Sequence, residues 1–346
     1  MLKEICPICG KKNNCLMKNN EFPENCWCHN VEVDQELVEY IPLEYQNISC
    51  VCQNCVELYN KDKILLKKYD LHNHSIFSDG TYTPEELVDR AIKNGLKGIA
   101  ITDHDTIDGL ERALKAGVEN NFEVIPGIEL STNILGKEVH ILGYFIDTEK
   151  QIFLENIKKI GLIRENRNKK ILEKLSKYNI NLTMEELKKE ATGNIISKVH
   201  IANLLLKKGI VYSKEEAFRS YLGMNGVAYV EKNNFTPKMA VEMLKENGAI
   251  ASLAHPLLYS KKISEIEKLI LELIPLGLTG IESEYSKCSN KEKKEIRELG
   301  KKYNLISTGG SDFHGGNRPG IDIGAEGITY SEFLFMKNRA KLIKNR

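Results

Sequence analysis

The amino-acid sequence predicts an α/β fold: a barrel of parallel strands carrying a helical insertion, preceded by a small cysteine-rich domain. Three observations carry that expectation. From residue 68 onward, short apolar runs alternate with capped helical segments, except between 149 and 235. Such alternation reads as βαβ units and a parallel sheet. Six of the eight histidines fall just past apolar runs, among carboxylates and turn residues, and polar clusters at strand ends favour a barrel over an open sheet. Eight of the nine cysteines crowd into the first 55 residues.

The head, residues 1–60, comes first in the chain. Cys6-Pro-Ile-Cys9 is the turn in which backbone amides point at two thiolates sharing a zinc ion, and Cys52-Gln-Asn-Cys55 supplies a second such turn. Cys15, Cys26, Cys28 and Cys50 complete the set of candidate structural zinc ligands. Four thiolates close one tetrahedral site, so the set fills two, or one with spares. His29 is close enough in sequence to compete for a position. A segment this short cannot bury enough apolar surface alone, and one or two structural zinc ions would supply the missing folding free energy. A disulfide framework is the competing reading. Against it, the opening Met-Leu-Lys-Glu-Ile-Cys-Pro shows no apolar core followed by a cleavage site. The C-P-x-C, Cys26-Trp27-Cys28 and C-x-C-x-x-C pattern resembles the cysteine-rich CWC family. Domains of this kind are mostly structural or adaptor modules, and no protein partner is legible. Cys288, far from the others, reads as an inert thiol.

The whole chain has 346 residues, 42% hydrophobic and 28% charged, with a formal charge of +1. That is ordinary globular composition, and the balance excludes a dominant nucleic-acid-binding surface while leaving room for a local patch. No run of about 18 apolar residues is present to cross a membrane, so a cytoplasmic location is expected.

The barrel is assigned to 68–148 and 236–346. Lys68–Leu71 is a short strand ending in His72-Asn-His74. Thr83-Pro84-Glu85-Glu86 opens a helix with a capping box and Pro at the first helical position, and Asn94-Gly95 stops it. Gly98–Thr102 is a strand with Asp103-His104-Asp105 just beyond it; a helix follows over 109–120. Residues 123–128 lead to Glu129, and Val139–Tyr144 is a strand containing His140. After the insertion, Thr236-Pro237 starts a helix, 249–254 leads to His255-Pro256, and helices near 263–273 and over 290–303 flank a strand at 278–282. Finally 305–308 leads to Gly309-Gly-Ser-Asp312-Phe-His314.

Residues 149–235 carry helical patterns with capping starts at Thr183 and Ser213, and no convincing buried strand. Between 151 and 210 there are 13 Lys/Arg against 6 Glu. Solvated helix faces and contact with a phosphate backbone both explain that excess.

A lone histidine is ordinarily a core or surface residue. In His72-x-His74, however, adjacent-but-one residues on a strand point the same way and reach one ion, and Asp312-x-His314 repeats the geometry. With His104, His140 and His255 at other strand ends, the conjunction describes a multinuclear metal site.

In this arrangement the sequence resembles the polymerase and histidinol phosphatase (PHP) family of metal-dependent phosphoesterases, over about 68–325. It is most similar to the branch carrying Ser78-Asp79-Gly80, Thr102-Asp-His-Asp105, Pro126-Gly-Ile-Glu129, Val139-His140-Ile-Leu-Gly-Tyr144 and a Tyr221-Leu-Gly segment. That branch includes nucleoside 3′,5′-bisphosphate phosphatases and 5′→3′ exoribonucleases of short RNA. The resemblance implies a distorted (β/α)7 barrel with two to three divalent ions at the strand C-terminal face. One ion would be held by His72, His74, Glu129 and Asp312. A second would share Glu129 and add His140 and His255; a third would use Asp79, His104 and His314. Asp70, Asp103 and Asp105 are placed to orient imidazoles.

Adjacent ions lower the pKa of a shared water from about 16 toward about 7, giving a metal-bridging hydroxide that attacks phosphorus. His104, flanked by Asp103 and Asp105, forms the catalytic set and could protonate the leaving oxygen. Ligation by nitrogen and oxygen without thiolates favours Mn, Fe or Zn. Lys198, His200 and Arg318 are candidate phosphate contacts. Relatives tend to carry Gly-Arg-Pro-His where this chain has Ser197-Lys198-Val199-His200, which trades a forked donor for a point charge. The expected substrate is a small phosphorylated nucleotide or short single-stranded RNA. A phosphatase of a metabolite such as histidinol phosphate, or an inactive metal-binding adaptor, are the alternatives.

Overall fold

A computed structural model describes residues 67–344 apart from 135, 192, 194 and 232–234, together with 4–15, 24, 26–31, 33–34, 37–38, 41, 45 and 48–61. In the head, helix α1 (Gln53–Lys61) packs on a small core that includes Ile8, Leu37, Ile41, Val51 and Val56. The head meets the body where the Ile8 carbonyl accepts a hydrogen bond from the Ser331 amide at 3.3 Å.

The body is built on eight strands: β1 (Lys67–Asp70), β2 (Gly98–Ile101), β3 (Glu123–Ile134), β4 (Lys137–Tyr144), β5 (Ile250–Leu253), β6 (Leu278–Tyr285), β7 (Ile306–Gly310) and β8 (Ile328–Thr329). They are ordered β7-β6-β5-β4-β3-β2-β1-β8. The ends meet: the Leu71 amide donates to the Gly309 carbonyl at 3.0 Å, and the His74 amide to the Phe313 carbonyl at 2.9 Å. Seven strands thus close into a barrel between β1 and β7, while the two-residue β8 pairs antiparallel with β1. Closure makes the two metal-ligand dipeptide patterns, one beyond β1 and one beyond β7, direct neighbours.

The alternation predicts parallel strands throughout, and β4 departs from it. It forms a hairpin with β3 in register from Gly127↔Tyr144 to Ile134↔Lys137, and also pairs antiparallel with β5. Only Leu135 and Gly136 separate β3 from β4, and Gly136 takes a φ of 83°. A two-residue connection cannot cross over the sheet, so the pair must be antiparallel. This hairpin is the source of the barrel's distortion. It also carries both strands past the rim, where His140 pairs with Ser131.

Helices α2 (Pro84–Lys93), α3 (Leu110–Glu119), and, after the insertion, α8 (Pro237–Asn247), α9 (Pro256–Tyr259), α10 (Ile263–Leu273) and α11 (Asn290–Lys302) cover the barrel. α2 has the expected cap: Thr83 Oγ1 accepts from the Glu86 amide at 3.2 Å, and the Glu86 carboxylate from the Thr83 amide at 2.8 Å. Its buried face is Leu87, Val88 and Ala91, the i, i+1, i+4 pattern of one helical side. A final helix, α12 (Tyr330–Lys344), had no counterpart in the sequence reading. It seals the end of the barrel where the strands begin. Phe333 stacks on Tyr69 at 3.9 Å, and Lys337 reaches Glu123, the first residue of β3, at 2.8 Å. The polar rim is the opposite end.

Between β4 and α8 lie α4 (Gln151–Ser176), α5 (Met184–Glu190), α6 (Lys198–Lys207) and α7 (Lys214–Ala217), the last running into a wide turn at Phe218–Leu222. These helices share a core of their own, including Ile171, Leu175, Leu187, Ile201, Leu205 and Leu222. They roof the rim. A Cβ on Gly193 would lie 2.6 Å from Phe77 Cα, so the insertion loop rests directly on the 75–80 loop. Most of the basic excess is solvated: Lys158, Lys159, Lys169, Lys170, Lys174 and Lys177 are exposed, whereas Arg164 and Arg167 are buried. No described helix is long and apolar enough to cross a membrane.

Candidate metal centre

Glu129 stands at the centre of the rim, buried at the point where β3 leaves the barrel. Its Oε2 lies 3.3 Å from His72 Nε2, 3.3 Å from His74 Nε2 and 3.1 Å from His104 Nδ1. Its Oε1 lies 2.8 Å from His140 Nδ1 and 2.9 Å from His255 Nε2. Asp312 Oδ1 is 3.6 Å from His72, 3.4 Å from His74 and 3.4 Å from His314. Asp79 Oδ1 is 3.4 Å from His314 Nε2 and 3.7 Å from His74 Nδ1. All the residues named as barrel ligands therefore come together. Ligand atoms within 4.8 Å of one another group His74, Asp79, His104 and His314; His72, His74 and Glu129; His104, Glu129 and His140; and His72, His255 and Asp312.

The surroundings hold these groups in place. His72 Nδ1 lies 2.9 Å from Glu282 Oε1, and the other Glu282 oxygen accepts from the His255 amide at 2.7 Å. With Nδ1–H donating to Glu282, His72 presents its Nε2 lone pair to the centre. Tyr285 donates to Asp312 at 2.9 Å. Glu282 and Tyr285 were missed from the sequence; the signal was Gly280-Ile-Glu282, a carboxylate closing an apolar run like the others. Asp70 accepts amides of His72 and Ser311 at 3.2 and 2.9 Å, tying β1 to β7. Asp105, His255 and Asp312 all take left-handed backbone conformations, with φ of 55°, 24° and 57°. Such strain in non-glycine residues persists where a site demands it.

Of the catalytic set read from the sequence, His104 lines the main cleft, whereas Asp103 and Asp105 turn inward. Asp103 accepts the Ser75 amide at 2.7 Å and the Ser75 and Ser78 hydroxyls at 2.6 and 2.5 Å, anchoring the loop that delivers Asp79. Asp105 accepts the Ser131 amide at 2.7 Å and is ion-paired with Arg164. A positioning role for Asp103 predicts that Asp103→Asn lowers kcat/KM by roughly 10–100-fold, the range for partners that orient ligands. Steady-state kinetics with metal analysis check this; a loss of the size expected for a residue in the reaction itself would contradict it.

The electrostatics call for cations. Burial alone would raise the Glu129 carboxyl, yet the imidazoles of His104, His140 and His72 hold it well below the usual carboxylate range. Asp79 is held down against burial by His104 and His314, and Asp312 by His72 and Arg318. Burial pulls the His74 imidazole down, but Asp312 and Glu129 outweigh it and push it up to about 9. Three buried anions are drawing positive charge to one point. Nε2 of His72, His74 and His140 and Oδ1 of Asp79 are buried with no hydrogen-bond partner. Unpaired buried acceptors are costly, and a mixed nitrogen and oxygen donor set converging this way fits divalent ions.

The cleft between rim and insertion has a volume of about 420 Å³ and is lined in part by Arg164, Arg167, Lys198, Tyr229 and Arg318. Lys198 Nζ lies 3.7 Å from Glu138 and 5.2 Å from the Tyr229 ring. Arg318 is ion-paired with Asp312. His200 is buried, its Nδ1 accepting the Ser197 amide at 3.0 Å as part of the α6 capping box. A larger cavity of about 940 Å³ lies between the head and the α12 end of the barrel, but no histidine lines it.

In the head, Cys6, Cys9, Cys52 and Cys55 bring their sulfurs within 4.8 Å of one another. Cys6 to Cys55 is 3.8 Å and Cys9 to Cys52 is 3.7 Å, far from disulfide bonding distance. The Ile8 and Cys52 amides point at Cys6 Sγ, at 3.4 and 3.3 Å, as a thiolate requires. Cys15 lies 3.5 Å from Cys50 and Cys26 lies 3.3 Å from Cys28. His29 is exposed and outside the first quartet.

Comparison with known proteins agrees with this geometry. Residues 70–303 match the PHP domain family model, and residues 6–57 match that of the Cysteine-rich CWC family. A 5′-3′ exoribonuclease of Haemophilus influenzae is 34% identical over 250 residues, spanning 72% of this chain and 91% of the relative. A 3′,5′-nucleoside bisphosphate phosphatase of Chromobacterium violaceum is 30% identical over 256 residues, spanning 74% and 90%. A solved Bifidobacterium adolescentis structure, assigned as a metal-dependent phosphoesterase, superposes with a TM-score of 0.70 at 25% identity, covering 78% of this chain and 96% of that one.

Proposed function

The chain belongs to the PHP domain family, and on that basis we propose that it hydrolyses phosphate esters of nucleotides or short RNA at the rim centre. The observation that carries the reading is Glu129, whose two oxygens are shared among five imidazoles beneath a cleft lined by arginine and lysine. His72, His74, Asp79, His104, Glu129, His140, His255, Asp312 and His314 would hold two to three Mn, Fe or Zn ions. When bound, such ions supply Lewis acidity toward water and toward phosphoryl oxygens.

The chain's own residues do the rest. Glu282 fixes the His72 ring, Asp103 fixes the loop bearing Asp79, and Arg164 fixes Asp105 and with it the end of β2. His104 is the member of the catalytic set facing substrate, and Lys198 and Arg318 are the phosphate contacts. His200 supports Lys198 through the α6 cap. A cleft of about 420 Å³ suits a ligand of nucleotide size.

The competing reading is a phosphatase of a smaller metabolite. Manganese-loaded protein should release phosphate from adenosine 3′,5′-bisphosphate or mononucleotides from short 5′-phosphorylated RNA. Turnover of histidinol phosphate alone would overturn the nucleotide reading, and no turnover of any of the three would favour a binding protein. In the head, two zinc ions are proposed, one on Cys6, Cys9, Cys52 and Cys55 and one on Cys15, Cys26, Cys28 and Cys50. Reduced thiolates of this kind suit a cytoplasmic location.

A further inference from the structure

We infer that a trough between the head and the floor of the barrel binds single-stranded RNA, at the end of the barrel opposite the metal centre. The choice of RNA rests on the reading of the rim as a phosphoesterase of nucleotides or RNA; the trough itself does not.

The cavity of about 940 Å³ between head and barrel adjoins a second hollow in the head, of about 400 Å³. Lys11 and Asn54 line both, so the two share a wall and make one path. That path crosses from head to barrel because the two parts abut. A Cβ on Gly10, whose φ is 72°, would strike the Tyr330 ring, and the Ile8 carbonyl accepts the Ser331 amide.

Positive charge follows the path. Lys11 and Lys12 stand at the head end, Lys68 and Lys97 at the barrel end. Among the described residues none of the four lysines has an ion-pair partner. The lining carboxylates are Glu57 and Glu123, and Glu123 is held by Lys337 at 2.8 Å. Glu57 is thus left to oppose four ammonium groups. The barrel pair is not scattered over a solvated face. The Lys97 amide donates to the Lys68 carbonyl at 2.8 Å, at the start of β1 and β2, which fixes the two as neighbours. Burial, and then the Lys97 charge, lower the Lys68 ammonium. Adjacent like charges beside a cavity cost the fold energy, and a polyanion laid across them removes that repulsion.

Aromatic rings are interleaved with the lysines. Trp27, half-buried against the head core, lines the outer hollow beside Lys11 and Lys12, and Phe122 and Tyr330 line the inner one. A cationic path carrying ring faces is what holds single strands: ammonium groups meet phosphates while unpaired bases stack. An acidic peptide would use the lysines and leave the rings without planar partners. A strand long enough to span the barrel is tethered here while its other end meets the rim; a mononucleotide is not.

Trp27 is the chain's one tryptophan, so its fluorescence reports on the trough and not on the rim. The test titrates full-length Glu129→Gln protein, which should leave the strand uncut, with oligouridylate of about 12 nucleotides, within the range of single-strand sites. Quenching is expected, with log affinity falling against log salt at a slope of about −2.8, as four phosphate contacts at about −0.7 each require. Adding Lys68→Gln and Lys97→Gln should bring the slope to about −1.4 and weaken binding roughly tenfold at low salt. Adding Lys11→Gln alone, on the shared wall, should bring it to about −2.1. Absent quenching, or a slope unchanged by the Lys68 and Lys97 substitutions, would overturn the trough as a site. Quenching by oligothymidylate alone, or by polyglutamate alone, would overturn RNA as the occupant in favour of DNA or an acidic protein. Quenching by oligouridylate with no phosphate ester turned over by manganese-loaded wild type would sink the reading of the rim and uphold the trough; RNA turnover without quenching would sink the trough alone.

Discussion

Glu129→Gln is expected to lower turnover by about 10³-fold or more, the scale of losing a preorganised electrostatic group, and to deplete the barrel of its ions. The substitution keeps shape and removes charge. Five imidazoles lie within 3.3 Å of the Glu129 oxygens, and they face one another at short range, with ring centroids of His74 and His104 4.6 Å apart. Without the carboxylate, only Asp79 and Asp312 remain to balance the divalent cations, and an amide NH₂ would direct hydrogens at atoms that must donate lone pairs. Elemental analysis should show barrel metal reduced while the zinc proposed for the head is unchanged, since no described head residue lines this site. A variant with full metal content and more than a tenth of wild-type activity would refute the assignment of Glu129 as the shared ligand.

The second large effect belongs to the head. Cys6→Ser should abolish binding of the zinc ion proposed for the first quartet and unfold α1, while the barrel remains folded and active. The head's core is a handful of side chains around Ile8, Leu37, Val51 and Val56, separate from the barrel clusters. Structural zinc contributes about 10–16 kcal/mol in domains of this kind, more than so small a core supplies. Four thiol sulfurs within 4.8 Å cannot all ionise without a cation between them. Hydrogen exchange over 53–61 measured with zinc content checks this. Retained protection in α1 would show that the quartet does not hold the head together, and barrel activity lost together with the head would show the two parts to be one cooperative unit.

Much of the fold was readable because its signals are local. The Thr83 and Thr183 capping boxes and the Thr236-Pro237 start are side-chain to backbone bonds within four residues, and each appears where the sequence places it. The hairpin of β3 and β4 was equally local, since Leu135-Gly136 is too short for a crossover, but the alternation rule hid it. α12 was not readable. Its buried residues Ser331, Phe333, Met336 and Ala340 make sense only against Tyr69 and the barrel end they cover.

The site divides along the same line. The convergence of the candidate ligands was legible in the chain, because a strand places residues i and i+2 on one face and a parallel barrel gathers its strand ends on one rim. The tertiary structure alone decided which oxygen meets which ring, that Asp103 and Asp105 serve loops, and that Glu282 and Tyr285 orient the ligands. It alone separated Arg164 and Arg167 from the exposed lysines around them. Those outcomes depend on contacts between segments dozens to hundreds of residues apart, as with Arg164 and Asp105 or His72 and Glu282. Local pattern carries no term for such distances; packing of the insertion over the closed barrel does.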